Sequence, residues 1–178
     1  FLKNNISVRI YSSVYNVKYD ATTEFELQNL SCSVCCSLAI GLKSSQIINS
    51  IPKIKTIIGR MQLVNELYND AKIYIDYAHT PSALENVLKS KLNSNKKPDL
   101  VFGCGGERDK TKRILMGKIA NKYANRIYIT NDNPRKENPS TIRKKIHIHC
   151  SRALNISDRR IAIKKAINNL KSKEILII

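Results

Sequence analysis

The sequence predicts an α/β fold with a mostly parallel sheet over residues 59–178, preceded by a stretch of different character over residues 1–58. Three observations carry this. From Leu63 to the last residue, short apolar runs alternate with segments of helical periodicity, the signature of βαβ units joined by right-handed crossovers. Polar clusters rich in Asp, His, Gly and Arg follow three of those runs, where parallel sheets bind their ligands. The earlier stretch lacks the rhythm: "ISVRIYSSVYNVKYD" alternates as antiparallel strands do, whereas "ELQNLSCSVCCSLAIGL" and "SQIINSIPKI" read as helices.

Taken in order, "KIYID" (72–76) is the first strand of the repeating part. "TPSALENVLKSKL" follows as a helix, with Thr80 as its N-cap and Pro81 at the first helical position. Leu84, Val87, Leu88 and Leu92 fall on one face of it. "PDLVFGC" (98–104) is a strand that runs into glycines, and "KTKRILMGKIANKY" is a helix with Leu115, Ile119 and Tyr123 at helical spacing. "RIYIT" is a third strand. Asn138-Pro139 opens a helix over "STIRKKI", and "RRIAIKKAINNL" sets Ile163, Ala166, Ile167 and Leu170 on one face. "EILII" is a further apolar strand, and no internal repeat is present.

At 178 residues and 42% hydrophobic content, the chain is expected to bury a core. Its longest apolar stretch, Leu30 to Leu42, is interrupted by serines and too short to span a bilayer, so a soluble chain without a membrane partner is expected, in a reducing cytoplasm that suits its free thiols; a monomer is also expected. The 31 Lys+Arg against 14 Asp+Glu give +17, which draws anions, although a solvated lysine-rich surface accounts for the surplus equally well. The basic residues are dispersed and aromatics, at 6%, do not interleave with them, so the charge fits anionic small molecules at least as well as nucleic acid, and no nucleic-acid partner is expected. Cys32, Cys35 and Cys36 form a C-x-x-C-C cluster without a second Cys/His pair; a buried helix face of free thiols is expected there, and no metal site.

The three rim clusters carry the chemistry. Asp76 at a strand end suits vicinal hydroxyls, and His79 beside a capped helix suits phosphate or base, unless both only brace the turn. "GCGGERDK" (103–110) offers flexible backbone near a helix start, with Arg108 and Arg113 as guanidinium groups on the same rim. In "NDNPRK", Pro134 holds Asn133 extended, Arg135 offers a planar fork to a carboxylate, and Asp132 and Asn133 suit an ammonium or brace Arg135. Together these groups suit a zwitterionic amino acid.

"GRMQLV", "DYAHTPSALENVL", "VFGCGGERDKTKRILMGKIA" and "TNDNPRKENPSTI", in this order, closely resemble the Mur ligases, specifically the MurE-type branch. "SDRRIAIKKAI" is similar to a later family helix, and "FELQNLSCSVCCSLAIG" resembles an earlier one more thinly. The resemblance implies a Rossmann-like C-terminal domain over 59–178, preceded over 1–58 by the remnant of a central ATPase domain. It implies ATP and Mg2+ as cofactors, and UDP-MurNAc-L-Ala-D-Glu and meso-diaminopimelate as substrates. The glutamate carboxylate would become an acyl phosphate that the diamino acid's amine attacks.

Residue by residue, the resemblance puts Arg108, Asp132, Asn133, Pro134 and Arg135 on diaminopimelate, and Asn29, Arg60, Asp76 and His79 against ATP. The family's P-loop, carbamylated lysine, UDP-binding domain and a final glycine-rich loop lie outside the chain. It is therefore expected to be a C-terminal piece, inactive alone and without catalytic residues of its own. Glu26, Ile58, Gln62 and Asn131 depart from the family's usual Asn, Pro, Glu, and acid or Ser. Another Mur ligase, a folylpolyglutamate synthetase relative, or a basic nucleic-acid-binding module are the alternatives.

Overall fold

A computed structural model describes residues 5–21, 23–55, 57–92 and 96–178. The chain divides into two compact units, Phe1–Ile57 and Ile58–Ile178.

In the first unit, β1 (Asn5–Ile10) and β2 (Ser13–Lys18) form an antiparallel hairpin with Ile10 opposite Ser13. Its tight turn puts Tyr11 at φ +53. Helices α1 (Glu24–Ala39) and α2 (Ser44–Ser50) follow, then a 3-10 turn over Ile51–Lys53. Ile10, Val17, Leu30, Val34, Ile47 and Ile51 make the core of this unit. α1 opens on a capping box: the Glu26 amide donates to Thr23 Oγ1, and the Thr23 amide donates back to the Glu26 carboxylate. The departure at Glu26 thus has a local structural use.

The cysteine expectation is corrected here. Leu30 and Val34, with Leu38 packed beside them, set the inward stripe of α1 at i, i+4, i+8. Cys32, Cys35 and Cys36 fall outside that stripe, and all three are exposed.

The second unit is a six-stranded sheet in the order β3-β4-β8-β5-β6-β7. The strands are β3 (Gln62–Glu66), β4 (Lys72–Ile75), β5 (Asp99–Phe102), β6 (Ile127–Ile129), β7 (Leu154–Asn155) and β8 (Ile175–Ile177). Only the β3–β4 pairing is antiparallel. The helices are α3 (Pro81–Ser90), α4 (Thr111–Tyr123), α5 (Pro139–His147) and α6 (Arg159–Asn168). Thr80, Asn138 and Asp158 cap α3, α5 and α6 through side-chain oxygens.

β5 and β6 are buried along their whole length, as central parallel strands are when helices cover both faces. Against one face, Ala162, Ala166 and Leu170 of α6 pack on Ile73, Val101, Tyr128 and Leu176. Leu100, Phe102, Ile127 and Ile129 alternate onto the other face. α4 lies between α3 and α5, so close to α5 that a Cβ on Gly117 would stand 2.7 Å from the Ile146 carbonyl oxygen.

Three expectations change. α4 buries Arg113, Met116, Gly117 and Ala120, while Leu115 is 48% exposed; the stripe is rotated because a charged residue heads it. Leu92 lies beyond the end of α3 and is partly exposed. β3 and β7 were not expected, being a mostly exposed edge strand and a two-residue strand without alternation.

At the amino-terminal edge of the sheet, Asp99 is 1% exposed and accepts from the Arg126 amide at 3.0 Å, Arg126 Nε at 2.7 Å and Asn125 Nδ2 at 3.1 Å. Arg126 also donates to Glu174 and to the Asn169 carbonyl, tying the starts of β5, β6 and β8. Burial pushes the Asp99 carboxyl upward, and Arg126 opposes it. Arg126→Ala leaves that carboxylate buried without its cation and should cost about 3–5 kcal/mol in urea unfolding. Adding Asp99→Asn should recover part of the loss.

Candidate functional site

Because β4, β8, β5 and β6 are parallel, their carboxyl ends share one rim. Residues 76–80, 103–110 and 130–138 leave the sheet there. The structure brings the last two loops into direct contact. The Gly106 amide donates to the Asn133 carbonyl at 2.8 Å, and Arg135 Nη1 donates to the Gly106 carbonyl at 2.7 Å. A Cβ on Gly106 would stand 1.9 Å from the Pro134 carbonyl oxygen, and one on Gly103 2.4 Å from that of Thr130. Glycine is required at both positions for the backbones to meet.

Each loop turns through a left-handed residue that is not glycine, Glu107 at φ +51 and Arg135 at φ +49. What holds them is an ion pair the sequence did not suggest. Arg113, fully buried on α4, donates through Nη1 and Nη2 to the two Glu137 oxygens at 2.9 and 2.8 Å. Glu137 Oε1 also accepts the Glu107 amide at 2.6 Å, and the Glu137 amide donates to the Pro134 carbonyl at 3.0 Å. These bonds hold the Glu137 carboxyl down at about 2. Arg113 is therefore not a ligand-facing guanidinium on the rim, which corrects the expectation for it. Beneath the loop, Cys104 is buried against Met116 Sδ at 3.6 Å, and burial pushes its thiol up to about 11, a packing group rather than a nucleophile.

The remaining expected residues are placed as follows. Arg108 and Asp132 are exposed, and neither makes a hydrogen bond or ion pair among the described residues. Asn133 Oδ1 accepts the Arg135 amide at 3.3 Å. Asn131, the departure beside them, is held through Oδ1 by Arg143.

Around the first loop, Asp76 braces the turn with both oxygens, accepting the Met61 amide at 2.7 Å and the Ala78 amide at 2.8 Å. Arg60 stacks over the Tyr77 ring at 4.9 Å, and the Tyr77 and His79 rings meet edge-on at 5.1 Å. Lys112 Nζ donates to the His79 carbonyl at 3.2 Å, joining this cluster to the start of α4. Gln62, another departure, accepts the Gly59 amide at 2.9 Å. Asn29 is exposed on α1, in the first unit.

Sequence reasoning missed Glu137, Glu107 and Tyr77. Its one available signal was Arg113 itself, at helical spacing with Met116, Gly117 and Ala120, on the face that small and apolar residues mark as inward.

Residues 59–178 match the family described as Mur ligase, glutamate ligase domain. The chain is 42% identical over 172 residues to the UDP-N-acetylmuramoyl-L-alanyl-D-glutamate--2,6-diaminopimelate ligase of Rickettsia bellii, covering 92% of this chain and 35% of that protein. A solved structure of a ligase of the same name superposes with a TM-score of 0.62 at 32% identity, over 98% of this chain and 36% of the other. FolC of E. coli in complex with ADP gives 0.73 at 17% identity, over 96% and 40%, a likeness of fold. The chain spans about a third of the length of the curated relatives it matches.

The depressed Glu137 carboxyl makes stability depend on pH in a defined direction. The unfolded chain takes up this proton near pH 4.5 and the folded chain only near 2. The stabilisation is therefore full above the unfolded value and disappears as pH falls through the folded one. The urea midpoint of wild type should exceed that of Glu137→Gln at about pH 6, and the gap should narrow steadily as pH falls from about 4.5 toward about 2. A gap independent of pH would contradict the pairing.

Proposed function

The chain belongs to the Mur ligase family, and on that premise we propose that it carries the amino-acid-binding domain of a ligase joining meso-diaminopimelate to UDP-MurNAc-L-Ala-D-Glu with ATP, in peptidoglycan synthesis. The observation that carries this reading is Arg135, anchored on the rim through one guanidinium nitrogen to the Gly106 carbonyl, its other guanidinium donors without a hydrogen-bond partner among the described residues. A second carboxylate on the incoming amino acid is the complement of that fork. Arg108 is the second cation for it, and Asp132, Asn133 and Pro134 form the wall that meets its ammonium.

ATP would lie against the Arg60–Tyr77–His79 cluster, where an exposed ring and a stacked guanidinium offer a base a flat surface. Asp76 oxygens, each with a lone pair beyond its amide bond, would accept the ribose hydroxyls. ATP supplies the phosphoryl group that converts the glutamate carboxylate to an acyl phosphate. The diaminopimelate amine then attacks the carbonyl carbon, the C–O bond to phosphate breaks, and an amide and free phosphate result. This chain's part is to bind and orient that amine.

Mg2+ would accompany the phosphates. Among the described residues no group of three His, Cys, Asp or Glu side chains is placed to hold it. We place the first unit at the end of a central ATPase domain, and the whole protein in the cytoplasm as a monomer. No helix of the described residues is long and apolar enough to cross a membrane.

Titration of the 15N-labelled chain with meso-diaminopimelate should shift the amides of Gly105, Gly106, Asn133 and Arg135. Arg135→Ala should weaken that binding by about 10- to 100-fold, the value of one or two charge-assisted bonds, and leave ADP binding within about twofold. Equal losses for both ligands would overturn the assignment of Arg135.

A further inference from the structure

The two charged groups that shape the rim most do not belong to its open surface. Arg113 has a side chain that is 0% exposed, and Glu137 is 20% exposed. The Nε of Arg113 is buried with no hydrogen-bond partner. As a device for stability this is poor, because a well-packed apolar pair of the same volume does at least as well as a buried ion pair. What an apolar pair lacks is direction. Glu137 grips the Glu107 amide, adjoining the Gly106 carbonyl to which Arg135 donates. Its own amide grips the Pro134 carbonyl, on the other side of Arg135. Arg135 is thus flanked within its own loop by a bond from the Glu137 amide and faced across the gap by one that ends on the Glu137 carboxylate, while its backbone is held at φ +49. A Cβ on Gly105 would stand 3.0 Å from Arg135 Nη1, so the guanidinium lies against bare backbone.

We propose that the Arg113–Glu137 pair is the positioning element for Arg135, setting the direction of its guanidinium and so the preference for an amino acid with a second carboxylate, without touching that amino acid. The proposal rests on the reading of Arg135 given above. Glu137 and Arg113 are positioning residues; Arg135 makes the contact.

The test compares meso-diaminopimelate with L-lysine, which lacks the second carboxylate, by NMR titration of this chain and of Glu137→Gln, Arg135→Ala and the double variant. A purely structural role weakens both ligands alike and leaves their affinity ratio unchanged. The positioning role lowers the ratio by about tenfold in Glu137→Gln, and adding Glu137→Gln to Arg135→Ala changes it by less than about twofold, the non-additivity of residues acting as one unit. If Glu137→Gln does not fold, Arg113→Lys, which keeps the charge and loses the two-pronged geometry, is read by the same ratio and should lower it. An unchanged ratio in the folded variant, where Arg135→Ala collapses it, overturns the positioning role alone. An unchanged ratio in Arg135→Ala overturns the reading of Arg135, and the positioning role falls with it.

Discussion

The rim of the second unit depends on one buried ion pair. Arg113 projects from α4 and Glu137 from the loop before α5, and their bonds at 2.8 and 2.9 Å join segments that the sheet alone would leave apart. With that joint in place, the Gly106 and Pro134 backbones press together as only glycine permits, and left-handed backbone persists at Glu107 and Arg135. Each such residue costs on the order of 1–3 kcal/mol and survives only where its surroundings over-determine it. The cost falls at the place where a side chain must be aimed.

The two ends of the sheet divide the work. At the amino-terminal edge, Asp99, Arg126 and Glu174 bind strand starts to one another. At the carboxyl edge the charged groups split into an inward pair, Arg113 and Glu137, and outward ones, Arg108, Asp132 and Arg135. Both ends bury a carboxylate–guanidinium contact. Only one passes its geometry on to an exposed side chain.

Much of this was legible in the sequence. Apolar runs at 72–76, 98–104, 126–130 and 174–178 became strands, and Thr80-Pro81 and Asn138-Pro139 started helices, because caps and apolar periodicity are local properties. Arg135 beside a glycine loop on the rim was legible for the same reason. Arg113 was not, since its burial depends on Glu137, a partner distant in sequence that no periodicity announces. The phase of α4 was misread for that one residue. The exposed cysteines of α1 were misread because small polar-apolar mixtures look alike on either side of a helix; Leu30 and Val34 decide the phase.

The central place of β8 has a consequence for how the chain acquires its shape. β4 pairs on one side with β3, a neighbour in sequence, and on the other only with β8; β5 likewise waits for β8 to join it to β4. The sheet therefore stays in two halves until residues 175–177 have been synthesised and have threaded between them. Such long-range closure is entropically slow. During translation the β3–β4 hairpin and the β5–β6 pair would each present a bare edge, open to misplaced pairing with other chains. Ile175, Leu176 and Ile177 are thus both the keystone of the sheet and the reason its two halves keep bare edges until β8 is in place.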